Sequence, residues 1–322
     1  MGIQYWAMLG RAWRRMKALL FRPLDPVKWL VLAFCAWVAG LLDGYGGGGG
    51  GGGDHGVGRG PHFEPGNVGE SIRAVLEAVR DAWQWVLGHW GATLFVFVGL
   101  PLLIAILVAV VWVSSRFKLI FLDDVVRGRA EVVEPWRRLA RLGDSLFLFR
   151  LGFGVVTFAV GAALVLALVS LGIFTAASRG SAPGIAGLAV GGLLFLVFVV
   201  AAAYASLFLE SFVAPIMYRH NLTVVPAWQT FLPWLSAEGA SFFLYGLFVL
   251  LLLILAAFAI VTVALATCCV GLVVLMIPFV GTLVLLPFIV TYRYLSLEFL
   301  AQFDPSLDVF GSITPSAAGA QR

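Results

Sequence analysis

Charge is what this sequence has least of. Asp, Glu, Lys and Arg make up 12% of its 322 residues, about half the roughly 25% of an ordinary soluble domain. From Gly239 to Tyr292 there is none at all, over 54 residues. Such a stretch cannot be the surface of a soluble fold, because nothing in it is suited to face water. A helix needs about 20 apolar residues to cross a hydrocarbon core about 30 Å thick, so residues 239–292 have room for two crossings. The small-residue break Thr267-Cys268-Cys269-Val270-Gly271 stands where a tight turn would join them.

Other scarcities exclude further classes. Only three cysteines occur, Cys35, Cys268 and Cys269. One lies in an apolar run and two are adjacent, so no disulfide framework is expected. No CxxC is present, which removes the usual structural zinc spacing. The four histidines are scattered: His55 and His62 in a glycine-rich loop, His89 at an interface, His220 in a polar connection. A b-type haem wants histidines facing each other inside spans, so neither cofactor nor metal is expected. The N-terminus interleaves Arg with Trp and lacks an apolar core with a small-residue cleavage site, so it does not read as a signal peptide. Basic residues flank apolar spans instead of forming a basic domain, which argues against a nucleic-acid partner.

What is abundant is apolar sequence in long runs, at 61% hydrophobic residues. The fold expected is an all-α integral membrane protein. Its membrane domain, residues 28–303, has six transmembrane helices at about 28–43, 91–114, 151–177, 185–209, 241–266 and 272–292. Pro101 lies inside the second, and Pro278 and Pro287 should kink the sixth. Gly187 and Gly191, four apart in the fourth, permit close helix approach.

Residues 1–27 read as a basic helix in the headgroup plane. Trp6, Leu9, Trp13, Met16 and Leu20 fall at helical spacing, with Arg11, Arg14, Arg15 and Lys17 between them. Residues 44–66 include eight consecutive glycines, Gly46 to Gly53, and should form a flexible external loop. No strand precedes them and no Lys follows, so a phosphate-cradling loop is not supported. Residues 67–90 read as an external amphipathic helix opened by Asn67 and Glu70 in capping-box spacing. Residues 304–322 read as a disordered polar tail.

The basic residues set an orientation. Segments 1–28, 115–150, 210–238 and 293–322 hold 17 Lys and Arg, and segments 44–90 and 178–184 hold 4. This asymmetry puts both termini in the cytoplasm of a bacterial inner membrane.

Three cytosolic segments also repeat a pattern: a Trp in an amphipathic stretch, a short connection, then two spans. They carry Ala12-Trp13, Val132-Val133-Glu134-Pro135-Trp136 and Val224-Val225-Pro226-Ala227-Trp228. The expectation is three hairpins, each preceded by a cytosolic interfacial amphipathic helix, with Pro233 dividing the third of these helices in two.

The run Arg11-Ala12-Trp13, Leu20-Phe21-Arg22-Pro23 and Lys28-Trp29-Leu30, followed by a glycine-rich loop, resembles an uncharacterised family of prokaryotic polytopic membrane proteins. So does the end, Ile277-Pro278-Phe279-Val280-Gly281-Thr282 through Leu286-Pro287 to Leu300-Ala301-Gln302-Phe303. More distantly, the helix-then-hairpin organisation is similar to the membrane domain of some glycerophosphodiester phosphodiesterases. The phosphodiesterase barrel is absent, so that resemblance carries over no catalytic residue.

Ionisable residues inside spans are functional candidates by default, and the spans as read contain almost none. Arg150, Glu210, Arg293 and Glu298 stand near span ends, and Arg150 is expected to pair with Glu210 or Glu298 as a structural fastener. Asp123, Asp124, Glu131 and Glu134 are interleaved with Arg127, Arg129, Arg137 and Arg138, which favours a salt-bridged face over a metal site. Arg11, Arg14, Arg15, Lys17, Arg22, Arg137, Arg138 and Arg141 are candidates for lipid headgroups, since Arg holds phosphate in a bidentate way.

These features point to a non-enzymatic structural, lipid-organising or accessory subunit. Its expected partners are membrane phospholipids and either further copies or other membrane subunits. The alternative is a channel or carrier for a small neutral or lipid-like solute. Few hydroxyls in the last two spans, chiefly Thr262, Thr282 and Thr291, disfavour a water-filled pore.

Overall fold

The computed structural model describes residues 5–22, 24–41, 77, 80–81, 83–85, 87–177, 182–267, 270–277, 279–304 and 307–310. The expected glycine-rich loop, most of the helix at 67–90 and most of the tail at 304–322 lie outside the described residues. Regular structure among the described residues is helical throughout, with no strand. Among the described residues, five helical stretches are long and apolar enough to cross a membrane: Phe95–Arg127, Ala140–Gly172, Gly184–His220, Gly239–Val263 and Val280–Leu300. The protein is therefore membrane-embedded.

The expected first span is shorter than the rest. Helix Pro26–Ala39 has 14 residues, a rise of about 21 Å, against a core about 30 Å thick. Local chemistry sets both its ends. The Asp25 carboxylate accepts from the Val27 and Lys28 amides at 2.9 and 3.4 Å, an N-cap with Pro26 in the first turn. Gly40 closes the other end.

The described chain divides into two compact units, residues 1–50, 110–152 and 203–322, and residues 51–109 and 153–202. The larger contains α1 (Tyr5–Phe21), α2 (Pro26–Ala39), the C-terminal part of helix Leu100–Arg127, the short helix Val133–Arg138 and the start of helix Ala140–Ala177. It continues with the end of helix Ala182–Phe208, a π-helical turn Leu209–Val213, and helices Ala214–His220, Val224–Ala237, Gly239–Ala266, Val270–Met276 and Val280–Leu300. With the short helix Trp90–Leu94 of the smaller unit counted as α3, these helices become α4 to α12 in chain order.

Buried rings from four segments of the larger unit make its densest packing. Phe212 meets Phe242 edge-on at 5.2 Å, Phe231 meets Phe242 at 5.2 Å, and Tyr245 meets Phe299 at 4.6 Å. Edge-to-face and tilted pairs of this kind add about 0.5–1.5 kcal/mol each beyond area burial.

α1 packs on α12 and α2 on α12. The α1–α2 corner is closed by Trp29, whose indole donates to the Leu20 carbonyl at 2.7 Å. The buried face of α1 is Met8, Ala12, Met16, Leu19 and Leu20, whereas Trp6 and Trp13 are exposed. This corrects the expected stripe of Trp6, Leu9, Trp13, Met16 and Leu20. Small and flexible side chains fill the contact, and the indoles lie outside it.

Several helices outrun their expected spans. α4 continues to Arg127, thirteen residues past 114, and α12 reaches Leu300 instead of 292. Their extensions are polar, and they stay helical because their charged groups find partners in the protein. α9 (Val224–Ala237) is one helix with Pro233 inside it, not two pieces. Gln229 and Pro233 are both exposed, so the carbonyl that loses its donor there is open to solvation. Its first turn borrows a cap: the Val224 amide donates to the Ser145 hydroxyl at 3.2 Å.

The expected kink near Pro278 is a full break between α11 (Val270–Met276) and α12 (Val280–Leu300). Phe279 sits there at φ 69°, ψ −46°, a region an L-residue enters at a cost. A Cβ on Gly281 would come within 2.4 Å of the Leu275 carbonyl oxygen. Only glycine allows that backbone approach.

In the smaller unit, the Gly187–Gly191 pair does what its spacing implies. Added Cβ atoms would stand 3.0 Å from Leu171 Cδ2 and 2.7 Å from Leu168 Cδ2. α7 (Ala182–Phe208) and α6 (Ala140–Ala177) therefore touch through leucine methyls seated on bare backbone.

Two π-helical turns occur among the described residues, Phe95–Gly99 and Leu209–Val213. Each is followed by one residue and then a proline, Leu100-Pro101 and Ala214-Pro215. The Leu100 amide bonds to the Phe95 carbonyl and the Ala214 amide to the Leu209 carbonyl. In that register the next donor would serve Val96 and Glu210, but the next residue is proline and has none. Widening the turn also relieves the ring clash with the carbonyl four residues back.

Candidate functional site

The larger unit holds a polar interior, which includes Arg293 and Glu298, read from the sequence as standing near span ends, and Asp123 and Asp124, read as part of a salt-bridged face. Lys118, Asp123, Asp124, Arg293 and Glu298 are all buried. Lys118 on α4 forms an ion pair with Glu210 in the π turn. Arg293 on α12 donates to the carbonyls of Glu210 at 2.7 Å and Lys118 at 3.4 Å. The Ser211 and Tyr292 hydroxyls meet at 3.0 Å. Three segments far apart in sequence are thus joined through one ion pair and two carbonyls. Desolvating such charges is costly and is offset only by close pairing.

A second hub fastens α4 to α5 (Val133–Arg138) and α8 (Ala214–His220). Asp123 Oδ1 accepts from Arg127 Nε at 2.9 Å, Arg138 Nη2 at 2.5 Å and the Tyr218 hydroxyl at 2.5 Å. Glu134 pairs with Arg138 at 3.5 Å. Asp124 Oδ1 accepts the Glu131 amide at 3.1 Å, and the free thiol of Cys35 lies beside that carboxyl. Of the four carboxylates weighed as a metal site, Asp123 and Glu134 are drawn into ion pairs and Asp124 into a helix-ending turn with the Glu131 amide. Among the described residues no group of three or more His, Cys, Asp or Glu could hold a metal ion.

A third fastening joins α4 to α6. Arg116 grips Asp144 in bidentate fashion, with Nη2 at 2.8 Å from both oxygens, and Trp112 Nε1 donates to Oδ1 at 2.9 Å. The guanidinium lies over the rings of Trp112 and Trp136, 4.5 and 4.9 Å from their centroids. Trp136, singled out in the repeat, therefore serves as one wall of an arginine site. Trp228, its counterpart, packs on Phe149 and Phe231.

The first and last helices meet at Glu298. Its two oxygens take Arg11 Nε at 2.7 Å and Arg15 Nε at 2.6 Å. The Arg15 guanidinium also covers the Phe310 ring at 3.9 Å. Next to this junction the Tyr5 hydroxyl donates to the Ser241 carbonyl at 3.2 Å, and burial raises its pKa above the ordinary tyrosine value.

This geometry corrects the expected fastener. Glu210 is paired by Lys118 and Glu298 by Arg11 and Arg15, while Arg150 Nη1 donates to the hydroxyls of Ser114 and Ser115 at 3.3 and 3.4 Å. The lipid-headgroup candidates separate into two sets. Arg11, Arg15 and Arg138 are spent on carboxylates, and Arg141 Nη2 donates to the Asn221 carbonyl at 3.2 Å. Arg14, Lys17, Arg22 and Arg137 are exposed, with no ion pair among the described residues.

Sequence reading missed Lys118, Arg116, Asp144 and Tyr218. Their partners lie 28 to 95 residues away, so no local spacing marks them. The π turns did leave a local signal, a proline six residues after the first π residue.

The model of a family of unknown function, DUF7544, matches residues 6–301. No curated protein and no solved structure matches the chain, so the distant likeness to phosphodiesterase membrane domains gains no support.

Proposed function

The chain belongs to that family of unknown function, and we propose that it is a non-enzymatic polytopic protein of the bacterial inner membrane. In this reading it organises phospholipid at the cytoplasmic leaflet or serves as an accessory subunit of a membrane complex. Helices α1, α5 and α9 are the interfacial elements of three successive hairpins. α2 is a short first crossing, which brings the spans to six and leaves both termini in the cytoplasm.

One observation supports this above others. α1 is pinned on its inner side through Glu298, yet keeps Trp6 at 74% and Trp13 at 41% exposure, with Arg14 and Lys17 beside them. A helix needed only for packing gains nothing from outward indoles flanked by unpaired cations. A helix at the headgroup level gains from both.

The test is purification in native lipid, with co-purifying subunits and lipids identified by mass spectrometry. Reproducible enrichment of a lipid class or a membrane subunit is the expected result. Solute flux through the protein in liposomes would overturn the reading in favour of a channel or carrier. Cysteines placed at 46–60 should label from the outside only.

A further inference from the structure

An apolar groove of about 930 Å³ opens between the first turn of α1 and the membrane-entering half of α10 (Gly239–Ala266), lined by Tyr5, Trp6, Ala7, Leu247, Phe248 and Leu251 among others. The Trp6 indole stands edge-on to Phe248 at 5.9 Å and makes one wall. The Tyr5 hydroxyl is already bonded to Ser241, and beside the Trp6 indole N–H the side chains of the lining are apolar. Along α10 its wall reaches from Leu244 to Ile254, about 15 Å at helical rise, a length suited to a stretch of acyl chain.

The same helix carries positive charge just beyond the groove. Residues seven apart share a helical face, so Arg14 follows Ala7, and Trp13 and Lys17 continue the row of Trp6. The step from Ala7 to Arg14 is about 10 Å along the axis. Lys17 lies over the Trp13 ring at 5.5 Å. α1 bears four cations, Arg11, Arg14, Arg15 and Lys17. Glu298 binds Arg11 and Arg15, and Asp308, which accepts the Phe310 amide at 2.9 Å, stands next to the ring that Arg15 covers. Arg14 and Lys17 have no ion pair among the described residues, so their positive charge is uncompensated by a carboxylate contact.

We propose that α1 and α10 form a binding site for one anionic phospholipid, its acyl chain in the groove and its phosphate over Arg14 and Lys17. The site rests on the reading of α1 as a headgroup-level helix and names the lipid class it selects. The order of the site, cations and then an aromatic-walled apolar channel, matches the order of headgroup and chain in a phospholipid. Charge complementarity favours an anionic headgroup over a zwitterionic one.

The test uses the full chain in non-ionic detergent, with lipid retention read by native mass spectrometry. Equimolar phosphatidylglycerol and phosphatidylcholine of identical chains are the probes. One phosphatidylglycerol should be retained preferentially, by about five-fold per cation. The doubly substituted Arg14→Gln/Lys17→Gln chain should retain both lipids equally. Ala7→Trp, which fills the groove from an exposed position, should retain neither while its thermal midpoint stays within a degree or two of the parent's. Excess glycerol 3-phosphate should displace nothing; displacement would assign the cations to a soluble phosphate and overturn the proposal. Equal retention of both lipids by the parent chain, or an unchanged preference in either variant, would also overturn it. Lipid or subunit enrichment from native membrane without this preference would remove the site and leave the broader function standing. The preference together with solute flux would do the reverse.

Discussion

Arg293 Nη1 donates at 2.7 Å to the carbonyl of Glu210, the oxygen whose helical donor position Pro215 occupies. The arginine replaces, from another helix, the backbone donor that the proline lacks. Arg293→Met should therefore cost about 1–3 kcal/mol for each buried carbonyl left without a partner, read as a lower unfolding midpoint in detergent. Pro215→Ala returns an amide to that turn. In its background the arginine loss should be smaller by about 1 kcal/mol, and strict additivity of the two changes would refute the relationship.

Glu298→Gln should release the first helix without unfolding the bundle. The carboxylate is buried, but Arg11 and Arg15 are 37% and 44% exposed, so solvent screens part of the interaction and a loss of about 1–2 kcal/mol is expected. The direct readout is tryptic cleavage after Arg11 and Arg15, which should quicken several-fold. Unchanged cleavage would mean that apolar packing alone holds α1.

The break between α11 and α12 can be probed at Phe279. Its ring stands edge-on to Trp37 at 6.4 Å, so truncation has two effects. Phe279→Ala loses the ring and keeps the positive φ, whereas Phe279→Gly loses the ring and relieves the backbone. The glycine variant should be the more stable by about 1 kcal/mol, measured by unfolding in the same detergent. The opposite order would show that the backbone is not strained there.

Two glycine-to-alanine changes should differ in severity for a stated reason. At Gly191 the new methyl meets Leu168 Cδ2, the end of a flexible side chain, at 2.7 Å. At Gly281 it meets a backbone oxygen at 2.4 Å, which cannot step aside. Gly191→Ala should cost under about 1 kcal/mol and Gly281→Ala about 3 kcal/mol or more, at the upper end of overpacking. Relative expression and thermal midpoints would test this ranking.

The long apolar runs gave the positions of most helices, because crossing lipid needs an unbroken run and little else. Helix ends were less visible. Arg293 and Glu298 read as residues near span ends and Lys118 went unmarked, because a charge marks the interface unless a partner is known. Those partners lie far off in sequence, Glu210 at 92 residues from Lys118 and Arg11 at 287 from Glu298. The face of α1 was misread for a different reason. Met8, Ala12 and Met16 keep helical spacing as well as Trp6, Leu9 and Trp13 do, so periodicity found the helix and not its orientation. Gly187 and Gly191 were legible because close approach needs only small residues at that spacing. The proline-linked π turn was written locally at Pro101 and Pro215, but only the geometry identifies it as such a turn.

Glu298 holds Arg11 and Arg15, so α1 is seated by a residue made 287 positions after Arg11. Translation delivers α1 long before its carboxylate exists. Until α12 emerges, Arg11 and Arg15 lack that carboxylate and α1 has no seat on α12. A ribosome stalled before residue 298 should thus leave α1 undocked, and docking should come as a late, discrete event in biogenesis.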